Sequence, residues 1–339
     1  MKLKNFDLKK KVFIIAEVGN NHEGNFNVAK KLIHLAAKAG ADAIKFQTHL
    51  AEHEMLDTKI TLAHSKKETV FDLMKKCELT LDQHKILKKY CEKKKIIFLS
   101  TPFSIQAANL LKKISVDAIK IGSGECNNLP LIEHVAKFKK TTIISTGMNS
   151  IDSITKTYNF ANKINKKIIL MHCISMYPAP SSKSMLNTIP FLKKKLNCPI
   201  GFSDHSDGIN LAIAAVALGA NVIEKHFTVS KKWSGPDIEL SITPDKFKKM
   251  VKACNEIHSA KGIRNKILKE EKPVTNFAFA TVVTTKKIKK NEMFTKNNTW
   301  VKRPGTGKIP AKDLHKVLKK ISKKTLPKNY QLRYSDIKR

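Results

Sequence analysis

Short apolar runs recur along the chain at fairly even spacing: VFIIAEVG, DAIKFQ, IIFLS, DAIKIGSG, TIISTG, IILMHC, PIGFSD and NVIEKHF. Each is followed by an amphipathic, lysine-rich stretch with helical periodicity. In NVAKKLIHLAAKAG the apolar positions return every three or four residues, and Gly40 supplies a stop. INLAIAAVALGA is apolar almost all round, which predicts a buried helix. Eight strand-then-helix units in about 260 residues match a parallel (β/α)8 TIM barrel in count and length. An open doubly wound sheet is the alternative, but no G-x-G-x-x-G follows the first run.

The alternation stops after a long helical pattern near residues 244–261. KGIRNKILKEEKPVTN is polar and without strand character, and residues 262–276 read as a linker. From Phe277 the segments shorten, and Pro304, Gly305, Gly307 and Pro310 lie close together. A barrel domain over 1–261 and a small turn-rich domain over 277–339 follow.

Several apolar runs end in ionisable residues. Side chains in a strand alternate between faces, so Ala43, Lys45 and Gln47 share one face against Ile44 and Phe46. Likewise Lys120 opposes Ile119 and Ile121, while Val222, Glu224 and His226 oppose Ile223 and Phe227. Other runs end in Glu17, Thr101, Ser145 with Thr146, His172, and Ser203 with Asp204 and His205. In a (β/α)8 barrel the chemistry sits at the C-terminal ends of the strands. Acids, bases, hydroxyls and imidazoles gathered at one rim predict an active site.

Composition changes this picture little. The chain has 339 residues and a formal charge of +36, which suggests a polyanion as partner. Only Arg264, Arg303, Arg333 and Arg339 are arginine, and the lysines are spread over nearly every predicted helix, whereas base readers favour the arginine fork. Solvated helix faces explain the lysines better than nucleic acid does. Six scattered cysteines without a CxxC pair read as reduced core thiols. With no apolar run of membrane length, a cytoplasmic protein without membrane contact is expected.

His205 and His226 end neighbouring runs, and two imidazoles suit Mn²⁺, Fe²⁺, Co²⁺ or Zn²⁺ with positions left for water and substrate. His22 and His172 compete for that role. Lys45 and Lys120, with Ser123 and the turns GSGE and STGMN, suggest an anionic group held by ammonium, hydroxyl and backbone N–H. A lysine inside a barrel strand also allows a Schiff base, a mechanism that leaves the two histidines without a use.

The segments IIAEVGNNHEG, KFQT, STPFS, KIGSGECNN, STGMNS, GFSDHSDG, EKHFT, SGPDIELS, FAFATVV and WVKRPGTG together resemble the sialic acid synthase family. Its bacterial enzymes condense phosphoenolpyruvate with N-acetylmannosamine or a related sugar. The resemblance runs in order over nearly all of residues 12–339. It implies a (β/α)8 barrel followed by an antifreeze-like (SAF) domain, and a homodimer in which the small domains are exchanged so that each caps its partner's barrel. An ice-binding tail is disfavoured by the two cations in WVKRPGTG.

Carried over by position, the resemblance gives His205 and His226 the metal, typically Mn²⁺, with Mg²⁺ or Co²⁺ as alternatives. Lys45, Thr101, Lys120, Ser123, Ser145 and Ser203 would hold phosphoenolpyruvate. Glu17, Gln47, Tyr177 and Asp237 would contact the acceptor sugar, and Arg303 of a partner chain would reach its N-acyl group. Glu17 or Glu125 would stabilise charge at the pyruvyl C2, and Asp237 or Glu224 would position the sugar or move protons. Ser175 in HCISMYPAP stands where several N-acetylneuraminate synthases carry Asn, and GINLAIAAVALGANVIEKHFT looks like legionaminate and spore-coat relatives. GECNN, FAFA and WVKRPG lean towards N-acetylneuraminate. N-acetylmannosamine is the first expectation, and a 2,4-diacetamido-2,4,6-trideoxyhexose, giving legionaminate or pseudaminate, is the second.

Overall fold

In a computed structural model, which describes residues 2–4, 6–62, 65–233 and 235–338, eight parallel strands close into a barrel. They are β1 (Phe13–Gly19), β2 (Ala43–Thr48), β3 (Ile97–Pro102), β4 (Ala118–Ile121), β5 (Thr141–Ser145), β6 (Ile168–Cys173), β7 (Ile200–Asp204) and β8 (Val222–His226). Each pairs with the next, and β8 closes on β1 with His226 opposite Glu17. The helices that follow them are α1 (Phe26–Lys38), α2 (Leu81–Lys93), α3 (Ile105–Lys113), α4 (Leu129–Ala136), α5 (Ile151–Ile164), α6 (Thr188–Leu196), α7 (Asn210–Ala217) and α8 (Pro244–Ala260). Most start where an Asn, Ser or Thr side chain caps free backbone N–H groups: Asn25 for α1, Ser104 for α3, Ser150 for α5, and Thr80 with Gln83 in a capping box for α2.

Two apolar clusters follow from the alternation. Ile14, Ile44, Phe46, Ile119, Ile144, Leu170 and Ile223 point outward beneath the helices. Phe13, Ile15, Ala43, Leu99, Ile143, Ile169 and Met171 fill the lower half of the barrel interior together with Leu3 and Leu8. An N-terminal hairpin, Lys2–Leu3 paired with Phe6–Asp7, belongs to that plug, with the Phe6 ring edge-on to Phe13 at 4.9 Å. The polar residues of the same interior face are therefore left to the upper half.

The expectation that α7 is buried all round is corrected. Ala212, Ala215 and Val216 are buried, but Leu218 just beyond the helix is 37% exposed, because α7 lies on the outer layer and covers the sheet with one face only. All six cysteines are free and buried. Among the described residues no helix is long and apolar enough to cross a membrane.

Residues Gly262–Arg339 form a second compact unit. The segment 262–276 contains a 3-10 turn at Lys269–Glu271 and most of a helix, Lys272–Ala278. Beyond it, β9 (Thr281–Thr284) pairs antiparallel with β10 (Thr299–Lys302), and Val282, Ile288, Phe294, Ile309, Val317, Leu326, Leu332 and Ile337 make a separate small core.

Candidate active site

A cavity of about 290 Å³ opens at the C-terminal ends of the barrel strands. Its floor is a layer of charge resting on the apolar plug. The ammonium of Lys45 lies 2.7 Å from Glu17 Oε2 and donates to Thr101 Oγ1 at 3.1 Å. Lys120 donates to both oxygens of Glu224, at 2.9 Å and 2.8 Å, and Lys45 is 3.8 Å from Glu224 Oε2. Ser203 also donates to Glu224 Oε1, at 2.8 Å. Charges this deep persist only when paired and hydrogen-bonded.

The pairing sets each protonation state. Burial works against an ionised Glu224, but Lys120 and Lys45 overcome it and hold that carboxyl well below the usual range. Glu17 has one close ammonium, and burial pushes its pKa up to about 7 against the pull of Lys45. For Lys45 burial is outweighed by Glu17 and Glu224, and its pKa rises; for Lys120 burial wins and the pKa falls. An ionised Glu224 between two lysines leaves cationic character facing the cavity, as an anionic ligand requires.

Above this layer stand two imidazoles with ring centroids 5.5 Å apart. His205 Nδ1 is 2.8 Å from the carbonyl of Ile174; a carbonyl only accepts, so the proton sits on Nδ1 and Nε2 keeps its lone pair, 3.3 Å from Ser203 Oγ. His226 Nδ1 is buried without a hydrogen-bond partner, 3.8 Å from Asp237 Oδ2. Burial lowers both pKa values, most strongly for His226, so both rings are neutral. Two rings this close could hold one divalent ion between them. Among the described residues no group of three His, Cys, Asp or Glu side chains is assembled for a metal. Two imidazole donors would leave an ion's remaining positions to water or substrate oxygen.

Two glycines let neighbours crowd in. Gly19 has φ +53°, and a Cβ there would run into Asp237 Oδ2 and lie 3.3 Å from His226 Cε1. A Cβ on Gly147 would collide with Ser175 Oγ and come within 2.9 Å of both Cys173 Sγ and Ser123 Oγ.

The description "NeuB family" fits residues 32–266, and "SAF domain" fits residues 279–338. The chain belongs to the NeuB family of sialic acid synthases. It is 39% identical to N,N'-diacetyllegionaminic acid synthase of Campylobacter jejuni over 96% of this chain and 99% of that one. It is 35% identical to human N-acetylneuraminate-9-phosphate synthase over 76% of this chain and 73% of that one. The crystal structure of N-acetylneuraminic acid synthetase from Leptospira borgpetersenii, in complex with citrate, has a TM-score of 0.74 and 35% identity, covering 81% of this chain and 94% of that one.

Of the residues that the NeuB resemblance marks, Glu17, Lys45, Gln47, Thr101, Lys120, Ser123, Ser145, Tyr177, Ser203, His205, Glu224 and His226 line the cavity. Three do not. Asp237 stands beside it, accepting the Asn20 N–H at 3.1 Å. Glu125 lies in the loop before α4 and accepts from Asn128 Nδ2 at 2.5 Å. Arg303 lies in the second unit, its guanidinium 5.9 Å from the Phe277 ring centroid. Four residues read as rim groups or rival ligands are elsewhere. His172 bonds the Ser184 carbonyl at 2.8 Å and stacks on Phe202; Thr146 donates to the Met171 carbonyl at 3.0 Å. His22 accepts the Gly24 N–H at 3.1 Å, and Asp204 pairs with Lys225 on the outer face.

Phe103, Gly122, Gly124, Met148 and Ser175 also line the cavity. Carrying the alternation two residues past Thr101 and Lys120 finds Phe103 and Gly122. Met148 and Ser175 come from loops, where no periodicity marks direction. A hydrogen-bonded chain behind the wall was equally hidden: Glu54 to His49 at 2.8 Å, His49 to Gln47 at 2.9 Å, and Gln47 to Glu17 at 3.4 Å.

Proposed function

We propose that this chain catalyses metal-dependent condensation of phosphoenolpyruvate with N-acetylmannosamine, giving N-acetylneuraminate and phosphate. One observation carries the reading: two buried ammonium groups, Lys45 and Lys120, and two neutral imidazoles, His205 and His226, face a single cavity. Lys45 and Lys120, with Thr101, Ser123, Ser145 and Ser203, bind the donor's carboxylate and phosphate and fix its C3 toward the acceptor. Gln47, Tyr177 and Asp237 orient the open-chain sugar. His205 and His226 would hold a divalent ion, Mn²⁺ first and Mg²⁺ or Co²⁺ as alternatives, which would supply Lewis acidity to the sugar aldehyde. As C3 of the enol bonds to C1 of the sugar, positive charge develops at the pyruvyl C2, and Glu17, which lines the cavity, stabilises it in this reading. Water adds at C2, and the C–O bond to phosphate then breaks.

A 2,4-diacetamido-2,4,6-trideoxyhexose acceptor, giving legionaminate or pseudaminate, is the second reading. It is favoured by the 39% identity to a legionaminic acid synthase over nearly the whole of both chains. In either reading a second copy of the chain supplies Arg303 to the acceptor's N-acyl group, which makes the working unit a homodimer.

The test is phosphate release from phosphoenolpyruvate with each sugar, after chelation and again after Mn²⁺ is restored. Release that needs both metal and acceptor supports the reaction, and the faster acceptor identifies the product. Release that persists after chelation overturns the metal's role, and none with either sugar in folded, Mn²⁺-loaded protein overturns the acceptor assignment.

A further inference from the structure

The outward side of β7 and β8 carries a charge cluster that the cavity does not use. Asp204 and Lys225 are register partners, both fully buried, with Oδ2 and Nζ 3.1 Å apart. Asp204 Oδ1 accepts from the Ser206 N–H at 2.9 Å and from its hydroxyl at 2.6 Å, and the Lys225 ammonium donates to the Ser206 carbonyl. Asp204, Ser206 and Lys225 thus close a ring. His205 lies between two of its members in the chain, and His226 follows the third. Alternation turns Asp204 and Lys225 outward and sends both imidazoles to the cavity.

A buried ion pair is a poor way to gain stability, since apolar groups of similar volume often do as well or better. Its best-attested use is to fix one register among several. The backbone ladder holds the register of β7 and β8, but ladder and apolar contacts would still tolerate a small twist of one strand against the other, which would change the distance between the two imidazoles. His205 has a further anchor in the Ile174 carbonyl, but His226 Nδ1 has no hydrogen-bond partner, so its ring depends more on the backbone that Lys225 pins.

We propose that the Asp204–Lys225 pair is a positioning device that holds His205 and His226 at the spacing needed to share one divalent ion. This rests on the reading above that the two histidines take such an ion.

The experiment titrates Mn²⁺ into the full chain and follows free Mn²⁺ by electron paramagnetic resonance, beside thermal melts. Wild type and His205→Ala come first, since binding lost in His205→Ala tests the ion site itself. In Asp204→Asn/Lys225→Met, which removes both charges, the melting temperature is expected to stay or rise. Mn²⁺ affinity is expected to fall roughly 10–100-fold, the range for groups that orient metal ligands. Asp204→Asn/Lys225→Leu, which likewise leaves no unpaired charge and keeps an acceptor for Ser206, is the second variant should that one fail to fold, and the same weakening is expected. Wild-type affinity in a folded variant, with or without a lower melting temperature, overturns the positioning role alone. Wild type without His205-dependent binding overturns the ion site and the positioning role together.

Discussion

The ammonium of Lys120 reaches both oxygens of Glu224, at 2.9 Å and 2.8 Å, although β4 and β8 stand across the barrel from one another. The pair spans the interior and separates the apolar plug from the cavity. Removing one partner of a buried pair costs roughly 3–5 kcal/mol. Lys120→Met should fall at the low end, because Lys45 remains 3.8 Å from Glu224. Lys120→Met/Glu224→Gln should recover most of that stability in denaturant unfolding while phosphate release stays at least 100-fold down. Recovered activity in the double variant would mean that the pair only supports the fold.

Gly19 leaves no room for a side chain beside Asp237 and His226. Its left-handed backbone and the collision of any Cβ with Asp237 mean that Gly19→Ala must push that carboxylate away from His226. The backbone strain costs on the order of 1–2 kcal/mol. The KM for the sugar should rise more than the KM for phosphoenolpyruvate, and steady-state kinetics with each substrate varied would show it. Equal rises would take Asp237 out of the acceptor's surroundings.

Asp42 immediately precedes β2 at the barrel end away from the cavity, where its Oδ2 accepts the Ile14 N–H at 2.9 Å. Burial outweighs that bond and raises the pKa from 3.8 to about 6. Between these values the folded chain keeps a proton that the unfolded chain has released, so stability falls as pH rises through the window and is level above it. The loss is on the order of 2 kcal/mol. Asp42→Asn should remove this slope and be the more stable protein at pH 7, as urea unfolding at pH 4.5 and pH 7 would test.

Arg303→Ala should raise the KM for an N-acylated sugar several-fold while leaving that for phosphoenolpyruvate nearly unchanged. Mixing Arg303→Ala chains with chains inactive at Lys120 should restore a share of activity if the arginine is delivered between copies. Equal effects on both substrates would count against the proposed contact.

How much of the site was legible depended on where each residue sits. In β2 and β8 a lysine or glutamate interrupts the apolar run, and period two alone grouped Lys45 with Gln47 and Glu224 with His226. In β6 both faces are apolar, and alternation pairs Ile168 with Leu170 and His172 without saying which face points inward; His172 proved to lie outside. Asp204 read as a rim charge because nothing local reveals that helices bury the outer face too. Asn20 and Asp237, 217 positions apart, meet only because β8 closes on β1.

The order of elements, their phase and the residue types available for chemistry were determined by the chain itself, because hydrophobic periodicity and capping are local. Which charge meets which, and so which carboxyl is ionised, was decided only by closure of the barrel. Electrostatic energy depends on distance and burial, and neither is a property of a residue's neighbours in sequence. Glu17 and Glu224 are alike as letters, yet one faces a single ammonium and the other two.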